Sequence, residues 1–343
     1  MEKVDRFPHA TIFPDGTVSG HYGPSMTLRG GLDLGGTKIE AIVVDESQKI
    51  LGQARRLTPT EGGPPAVVAE LATTMREAAS TAGVEISDLA GVGVGAPGEV
   101  DMNAGTLARA GNLPGWQDVY PVTAELSHDL GVPVRIGNDV RVAVEAEREL
   151  GAGRTHSSFL GVWWGTGVGG ALVLNGKLWL GRGSAGELGH VVVKLGGRRC
   201  PCGRRGCLEA YAGRAAMERT ARKAEDAGTK TKLFTIMKKR QRARLTSGVW
   251  EAALAEEDKL ARALIDEAVE ALGAGIGSVQ NVVDLEAVVI GGGLGTRLGQ
   301  PYVERIAAAT QPHLFVDDRP PAFVLTELGD NGGGLGAALL VSG

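Results

Sequence analysis

The three cysteines of this 343-residue chain lie within eight positions of one another, and a histidine stands ten residues before the first. Three thiols and one imidazole form a Cys₃His donor set, which suits a closed tetrahedral zinc site. Glycines at positions 203 and 206 allow the tight turns that such a knuckle needs. We therefore predict structural zinc, with buried cysteines that bind no metal as the alternative. The predicted ligands are His190, Cys200, Cys202 and Cys207.

Two glutamates flank the predicted metal site. Glu187 stands three residues before His190, and Glu209 stands two residues after Cys207. A metal that fixes His190 and Cys207 also fixes these carboxylates, and recognition of a polar ligand requires acceptors that are held rigidly. We predict that both glutamates bind such a ligand, and two surface glutamates without a function are the alternative.

A Gly-Gly turn between two apolar strands has the chemistry of a phosphate site. The backbone N–H groups of Gly35 and Gly36 can form an anion nest. Thr37 adds a hydroxyl and Lys38 adds a cation, while Asp33 at the strand end can hold Mg²⁺ through water. The order Gly-Thr-Lys without a following helix differs from a Walker A loop. A purely structural hairpin turn is the alternative.

Residues 165–170 repeat this pattern in the second half of the chain. They read Gly-Thr-Gly-Val-Gly-Gly, which matches G-x-G-x-x-G, but a strand and an Asn-Gly turn follow instead of a helix. This order excludes a dinucleotide-binding fingerprint and, with it, a dehydrogenase. Thr166 and Gly167 predict a second phosphate-binding hairpin that faces the first. One hairpin in each half indicates two related lobes with a nucleotide between them.

The Asn138-Asp139 pair stands where a predicted strand passes into a helix. A carboxylate at the carboxyl end of a strand can accept a proton from a substrate hydroxyl as that oxygen attacks phosphorus. Asn138 would then hold a neighbouring hydroxyl. An N-cap is the alternative role for Asp139. A glycine turn at Gly98 and a loop with Asn112 and Trp116 complete the predicted substrate site.

Positioning these residues requires a scaffold of alternating strands and helices. Periodicity predicts helices over residues 64–82, 120–130, 213–227 and 260–283, and a helix that ends at residue 150. Residues 191–193 have the composition of a short strand. A strand over residues 286–290 enters the glycine turn 291–295, where a purine or ribose could lie against the backbone of Gly292 and Gly293. The last helix, residues 332–341, carries glycines that permit close packing on a neighbour.

Composition limits the classes of function. The chain is 43% hydrophobic and 22% charged with a mean hydropathy near zero, which is typical of a soluble globular protein, and its length suits two domains. The 53 glycines fall at strand ends, which favours an α/β protein. A net charge of −4 gives no general reason to expect a nucleic-acid partner. No apolar run reaches the roughly 18 residues of a membrane span and no signal pattern is present, so we expect a cytoplasmic protein without a membrane partner.

Two segments have no predicted role in catalysis. Residues 1–26 are broken by proline and glycine, and we expect an irregular extension that is too short for a helix-turn-helix domain. Residues 230–244 carry seven basic side chains. A solvated helical face is the preferred interpretation of this basic segment, and contact with a polyanion is the alternative.

From about residue 28 to its end, the chain resembles the ROK family of sugar kinases and related repressors. The resemblance rests on residues 33–38, 137–139, 165–170, 187–190, 291–293 and the cysteine knuckle with Glu209, which follow in the expected order. It implies an α/β, two-lobed actin-like ATPase (ribonuclease H-like) fold with nucleotide and sugar in the cleft between the lobes. The implied small lobe comprises residues 27–137 and about 331–343, and the large lobe with the zinc knuckle comprises residues 138–330.

The resemblance also implies roles for individual residues. Asp139 corresponds to the catalytic base that takes the proton of the sugar hydroxyl. The phosphate-binding segments correspond to residues 35–38, Thr166 and Gly167. The hexose-binding groups correspond to Asn138, Glu187, His190 and Glu209, and the zinc ligands correspond to His190 with the three cysteines.

We therefore expect an enzyme that uses ATP, with Mg²⁺ and structural Zn²⁺, to phosphorylate a hexose at its 6-hydroxyl, and glucose is the expected substrate. Fructose, mannose, N-acetylglucosamine and N-acetylmannosamine are alternative substrates, and a sugar-sensing regulator without activity is the alternative of another class. Repressors of the family carry an additional N-terminal domain, and polyphosphate-using relatives generally lack the zinc knuckle, so an ATP-dependent kinase is favoured. The family likeness also suggests a homodimer or homotetramer.

Overall fold

The structure is a computed structural model that describes residues 27–341. The predicted extension 1–26 therefore lies outside the described residues. The strands, in chain order, are β1 (Leu28–Leu34), β2 (Lys38–Val44), β3 (Ile50–Leu57), β4 (Leu89–Ala96), β5 (Glu99–Asp101), β6 (Thr106–Ala108), β7 (Val134–Asn138), β8 (Phe159–Trp164), β9 (Val168–Leu174), β10 (Lys177–Trp179), β11 (Ala287–Gly291) and β12 (Ala322–Leu325).

Helices alternate with these strands as the periodicity predicts. They are α1 (Gly63–Ala82), α2 (Val122–Leu130), α3 (Asp139–Leu150), α4 (Glu209–Ala212), α5 (Arg214–Asp226), α6 (Leu233–Lys239), α7 (Ser247–Ala255), α8 (Lys259–Val283), α9 (Gly292–Leu298), α10 (Gln300–Thr310) and α11 (Gly332–Leu339). None of the helices in the described range 27–341 is long and apolar enough to cross a membrane.

Two five-stranded sheets repeat one topology. The first has the order β3-β2-β1-β4-β7 and the second has the order β10-β9-β8-β11-β12. In each, the first three strands of that order are antiparallel neighbours and the last two run parallel to the central strand. The central hairpins β1–β2 and β8–β9 are the two glycine hairpins of the sequence. The repeat confirms the prediction of two related lobes.

Each lobe has an apolar core of its own, and α3 lies between the two sheets. One core extends from Leu32 to Ile136 and the other from Leu160 to Ile306. On α3, Val144 packs with residues of the second sheet, whereas the buried Ala146 belongs to a cluster that includes the first sheet and α11. The helix that begins with the predicted catalytic carboxylate therefore touches both lobes.

Glycines allow α11 to lie directly on the first sheet and on α3. A Cβ atom added to Gly93 of β4 would lie 1.7 Å from the Ala337 carbonyl oxygen, and one added to Gly336 would lie 1.8 Å from the Val142 carbonyl oxygen. No side chain can occupy these positions unless the backbone moves. The predicted close packing of the last helix is confirmed.

Two local predictions are wrong. Residues 191–193 form no strand; a 3₁₀ helix at Leu188–His190 precedes them, and Val192 makes only an isolated bridge to Cys207. The segment wraps around the knuckle because His190 must reach the cysteines. Residues 291–295 are the last residue of β11 and the first four of α9 rather than a turn, and among them only Gly292 takes the left-handed conformation, with φ of 80°.

Candidate active site

Asn138 and Asp139 lie at a strand-to-helix junction, as the sequence predicts. The structure shows which of the two caps the helix, a point that the sequence left open. Asn138 ends β7 and is the N-cap of α3, since its side-chain oxygen accepts a hydrogen bond from the Arg141 N–H at 3.2 Å. Asp139 is the first residue of the helix, and its Oδ1 accepts a hydrogen bond from the Val140 N–H at 2.9 Å. The cap function thus falls to Asn138 rather than to Asp139.

Burial raises the pKa of the Asp139 carboxyl above its ordinary value. Hydrogen bonds from the backbone oppose the shift, and the negative charge of Glu187 adds to it. A carboxylate with a raised pKa is a better proton acceptor near neutral pH than an ordinary aspartate. This environment suits a general base.

Asp33 is a second carboxylate whose surroundings disfavour its charge. Burial, together with the negative charges of Asp139 and Glu40, raises its pKa to about 7, while the charge of Lys38 opposes the shift. Within residues 27–341 it has no ion-pair partner, and a Cβ atom added to Gly333 would lie 2.6 Å from its carboxylate. A half-buried carboxylate beside other acids, without a direct ion pair, is the arrangement that a hydrated Mg²⁺ would stabilise.

The β1–β2 turn brings the first phosphate loop against the substrate loop. The Gly35 N–H donates to the Lys38 carbonyl oxygen, and the Thr58 hydroxyl donates to the Gly35 carbonyl oxygen at 2.7 Å. A Cβ atom added to Gly36 would lie 2.8 Å from the carbonyl oxygen of Asn112. The turn is therefore rigid, and only a glycine fits where it meets the loop.

Lys38 lies in an ion-pair network on the strand surface. Its Nζ is 2.6 Å from a Glu40 oxygen and 3.6 Å from an Asp330 oxygen, and Arg55 also pairs with Glu40. Thr37, by contrast, is exposed at the turn. A role of Lys38 in phosphate binding remains a prediction.

The β8–β9 turn joins the second phosphate loop to a predicted sugar ligand. Its Gly165 N–H donates to the Gly167 carbonyl oxygen. The Glu209 Oε2 accepts from the Val168 N–H at 3.0 Å, and a Cβ atom on Gly167 would lie 2.2 Å from the same carboxylate. The backbone predicted to bind phosphate and the acid predicted to bind sugar are thereby held in direct contact.

Gly292 and Gly293 of the second lobe differ in how much free space surrounds them. A Cβ atom at Gly292 would lie 2.7 Å from the backbone nitrogen of Trp164, so this glycine is required by packing and by its positive φ. A Cβ atom at Gly293 would meet only the Ser247 hydroxyl, at 3.8 Å. Space for a ligand therefore lies beside Gly293.

The cysteine knuckle brings its four predicted ligands together. The ligand atoms of His190, Cys200, Cys202 and Cys207 all lie within 4.8 Å of one another. The sulfurs of Cys202 and Cys207 are 3.7 Å apart, and 3.9 Å separates the Cys200 sulfur from Nδ1 of His190. Two thiolates on a tetrahedral zinc ion, with Zn–S bonds of about 2.3 Å, stand about 3.8 Å apart. The cluster therefore has the spacing that zinc requires.

The predicted sugar ligands differ in exposure. Glu187 and Asn112 are exposed, whereas His190 and Glu209 are half-buried. Gly98 is exposed at a positive φ of 94° and packs against residues 108–110, just before Asn112. Trp116 is not available to a ligand; it is buried in the small-lobe core and donates a hydrogen bond to the Leu107 carbonyl oxygen.

Two arginines near the site escaped sequence reasoning. Arg141, on α3, donates to the carbonyl oxygens of Gly183 at 2.7 Å and Ala185 at 3.3 Å, which holds the segment before Glu187. Arg214, at the start of α5, donates to the Thr166 hydroxyl. Neither belongs to a glycine, cysteine or acidic motif, so only the fold reveals them.

The fold is that of the actin-like ATPases. Each of its two lobes has a five-stranded sheet with a central glycine hairpin, and acidic side chains lie between the lobes. The sequence matches the ROK family over residues 29–343. The chain belongs to the ROK family.

Individual relatives cover nearly the whole chain. It is 34% identical over 319 residues to a glucokinase of Thermotoga maritima, with 91% of this chain and 96% of the relative covered. It is 33% identical over 326 residues to the N-acetylgalactosamine kinase AgaK of Shewanella sp., with 91% and 96% covered. A ROK family glucokinase of Streptomyces griseus, solved in complex with glucose and AMPPNP, has a TM-score of 0.78 at 30% identity, with 92% and 98% covered.

Proposed function

We propose that the protein is a hexose kinase that transfers the γ-phosphoryl group of ATP to the 6-hydroxyl of glucose. The observation that carries the proposal is Asp139, a half-buried carboxylate with a raised pKa at the start of α3, which is close enough to Asp33 and Glu187 for their charges to interact. The names of the Thermotoga and Streptomyces relatives support glucose as the sugar.

In the proposed reaction, Asp139 orients the 6-hydroxyl and receives its proton. The hydroxyl oxygen forms a bond to the γ-phosphorus while the bond from that phosphorus to the bridging oxygen of ADP breaks, and the proton later passes from Asp139 to solvent. Backbone N–H groups of Gly36, Thr37, Thr166 and Gly167 hold the phosphates, and Gly35, whose N–H donates to the Lys38 carbonyl oxygen, shapes the first turn. Positioning and electrostatic stabilisation supply most of the acceleration in phosphoryl transfer.

We assign the recognition of the sugar hydroxyls to groups around the knuckle and the Asn112 loop. The assigned groups are Gly98, Asn112, Asn138, Glu187, His190 and Glu209. Buried groups that a wrong sugar leaves unpaired discriminate strongly between hexoses. Gly292 and Gly293 line the proposed site of the nucleoside, and closure of the lobes would exclude water from the reacting groups.

We infer two metal ions. Asp33 would hold Mg²⁺ through water, and Mg²⁺ when bound offsets the charge of the phosphates. The Cys₃His knuckle would hold structural Zn²⁺, because its sulfur spacing and its donor set fit a closed tetrahedral site. Zinc would act on catalysis only by fixing His190 and Glu209.

The test of the reaction is ADP release from ATP with a panel of free sugars. We expect fast turnover with glucose and slower turnover with mannose, fructose, N-acetylglucosamine and N-acetylmannosamine. N-acetylgalactosamine belongs in the panel because of the Shewanella relative. Absence of turnover with every sugar, from protein that holds zinc, would favour a sugar-sensing regulator, which direct sugar and DNA binding would then examine.

Asp139→Asn tests the mechanism. The substitution keeps the shape of the side chain and removes the base, so we expect turnover to fall by about two to four orders of magnitude, with little change in thermal unfolding. Steady-state kinetics with saturating ATP and glucose measure the effect. Near-normal turnover of this variant would rule out Asp139 as the base.

The proposal places the enzyme in the cytoplasm as a homodimer or homotetramer. Light scattering of the purified protein measures the assembly state, and cell fractionation measures the location.

A further inference from the structure

Arg214 presents an unmatched positive charge beside the second phosphate loop. It is the first residue of α5, and its guanidinium donates to the hydroxyls of Thr166, at 2.7 Å, and Ser247, at 3.2 Å. Both acceptors are neutral. Across residues 27–341 no carboxylate forms an ion pair with this half-buried side chain.

The nearest acid, Glu218, is one turn further along α5 and is already occupied. Its Oε1 accepts two hydrogen bonds from Arg222, and its Oε2 accepts from Nε of Arg244 and from the Leu245 N–H. Three guanidinium groups therefore gather around one buried carboxylate. Burial lowers the pKa of Arg214; the charge of Glu218 opposes this shift, and the charge of Arg244 adds to it.

A cation that is partly desolvated and forms no direct ion pair lowers the stability of the folded protein. Such a cost persists in a structure when a ligand supplies the missing charge. Packing against the neighbouring elements does not explain why an arginine stands at position 214, because water can donate hydrogen bonds equally well to the two hydroxyls that it contacts.

The position of Arg214 fits a nucleotide. Its backbone N–H donates to the Gly165 carbonyl oxygen, so the start of α5 and the β8–β9 turn form one rigid unit. Its second acceptor, Ser247, faces the open space beside Gly293. The guanidinium thus lies between the hairpin that we assign to phosphate and the glycine that we assign to the nucleoside.

We propose that Arg214 is a nucleotide-binding residue whose guanidinium forms an ion pair with the phosphate chain of ATP and ADP. The inference rests on the proposed kinase function. The planar group exchanges its hydroxyl acceptors for phosphate oxygens, and two parallel N–H donors suit that geometry. Arg222 and Arg244 support it by occupying the oxygens of Glu218, so that Glu218 forms no direct ion pair with Arg214.

Part of the basic segment 230–244 acquires a role by the same argument. Arg244 occupies Glu218, and Arg240 donates to the Gly248 carbonyl oxygen at 2.6 Å, which holds the start of α7 where Ser247 lies. These two arginines are positioning residues for the nucleotide site. The remaining basic side chains of the segment have no part in it.

The test compares ligands that differ only in phosphate number. Calorimetry measures the dissociation constants of adenosine, AMP and ADP for the full-length protein and for Arg214→Gln, Arg214→Lys and Arg305→Gln. For Arg214→Gln we expect ADP to bind about 10- to 100-fold more weakly and adenosine to bind unchanged. The salt dependence of ADP binding should also decrease.

Arg305→Gln is the matched control, because Arg305 is a half-exposed arginine of the same lobe that pairs with Asp266 on α8. It should bind all three ligands as the unmodified protein does. Arg214→Lys keeps the charge without the planar fork, so an intermediate loss for ADP alone is expected. This variant decides the question if Arg214→Gln does not fold.

Two results would overturn the inference. Unchanged ADP affinity in the Arg214 variants means that the charge does not meet phosphate. Equal weakening of adenosine and ADP means that Arg214 only holds the Thr166 turn. Failure of the kinase proposal is distinguishable, since it is the absence of hexose phosphorylation by the unmodified protein, whatever the Arg214 variants bind.

Discussion

Asp33 faces another carboxylate, Glu40, directly across the β1–β2 pair, and like charges in opposed positions weaken a sheet. Lys38 and Arg55 neutralise Glu40 but leave Asp33 without an ion-pair partner in the described chain. Its cost to stability is therefore a sign of function rather than of folding. Asp139, close enough to raise its pKa further, belongs to the same strained group of acids.

The pKa of Asp33 has a consequence for stability that can be measured without substrate. The pKa of about 7 in the folded state lies above the ordinary aspartate pKa of 3.8, so between these pH values the folded protein binds more protons than the unfolded one. The free energy of unfolding must fall as pH rises through this window. In metal-free buffer, Asp33→Asn should raise the melting temperature by about 2–5 °C near pH 8 and by much less near pH 4.5. A variant that is no more stable than the unmodified protein near pH 8 would contradict the assigned strain.

At the scale of elements, the knuckle and α11 position the site by different means. The knuckle relies on four side chains that converge on one point, whereas α11 relies on the absence of side chains. Cys200 and Cys207 are buried, but Cys202 is exposed, so a change there removes a ligand atom with little loss of packing.

Cys202→Ser should lower zinc content, sugar affinity and melting temperature together, because formation of a metal site and local folding are coupled. Metal analysis, calorimetry with glucose and thermal unfolding measure the three effects. The unmodified protein treated with a chelator is the control and should behave in the same way. Normal sugar affinity after proven loss of zinc would separate the knuckle from substrate binding.

Gly336→Ala should destabilise the protein by about 1–3 kcal/mol, since its methyl group would overlap the Val142 carbonyl oxygen. Gly332→Ala is the matched control in the same helix. A Cβ atom there makes only an ordinary contact with Leu328, at 3.6 Å, so we expect no loss and a gain of up to about 1 kcal/mol. Denaturant unfolding compares the two variants, and equal stabilities would show that α11 is not held at close contact.

For the whole molecule, Glu147 joins the two segments that connect the lobes. It is fully buried on α3, which leads into the second lobe, and it accepts hydrogen bonds from the Ala152 N–H at 2.8 Å and the Leu328 N–H at 3.0 Å. It also accepts from the Thr326 hydroxyl and the Glu327 N–H. Residues 326–331 lead back to α11 and the first lobe, so the one carboxylate of Glu147 holds both segments that pass from one lobe to the other.

Glu147→Gln replaces an oxygen by an NH₂ group that faces these donors, and we expect a loss of about 2–4 kcal/mol in the free energy of unfolding. Glu149→Gln, on an exposed position of the same helix, should lie within about 0.5 kcal/mol of the unmodified protein. Thermal and denaturant unfolding of both variants test the difference. Similar stabilities of the two variants would mean that other contacts hold the segments between the lobes.

Much of the fold is predictable because its signals are local. The hairpin at Gly35 and the strand Phe159–Trp164 appear where apolar runs meet glycine turns, and α1 and α8 begin and end within a residue or two of their periodic patterns. The cysteine spacing likewise predicts the ligand cluster, since all of it but His190 lies in eight positions.

Where a prediction from the sequence was wrong, contacts between residues far apart in the chain outweighed the local pattern. Three valines at 191–193 have the composition of a strand, but the neighbouring His190 is drawn to the knuckle and no sheet partner is within reach. Trp116 stands in a polar loop and yet is buried, because the core beneath α1 and α2 has room for it.

The sequence by itself determined the elements, the two hairpins, the cysteine cluster and the acid at the start of α3, since each is encoded by residues near one another in the chain. Only the tertiary structure decided which charges meet. It brought Arg55 to Glu40 and Arg244 to Glu218, and it placed Arg214 beside Thr166 without a direct ion pair. Electrostatic partners are set by distance in space, and periodicity along the chain carries no information about contacts between residues tens or hundreds of positions apart.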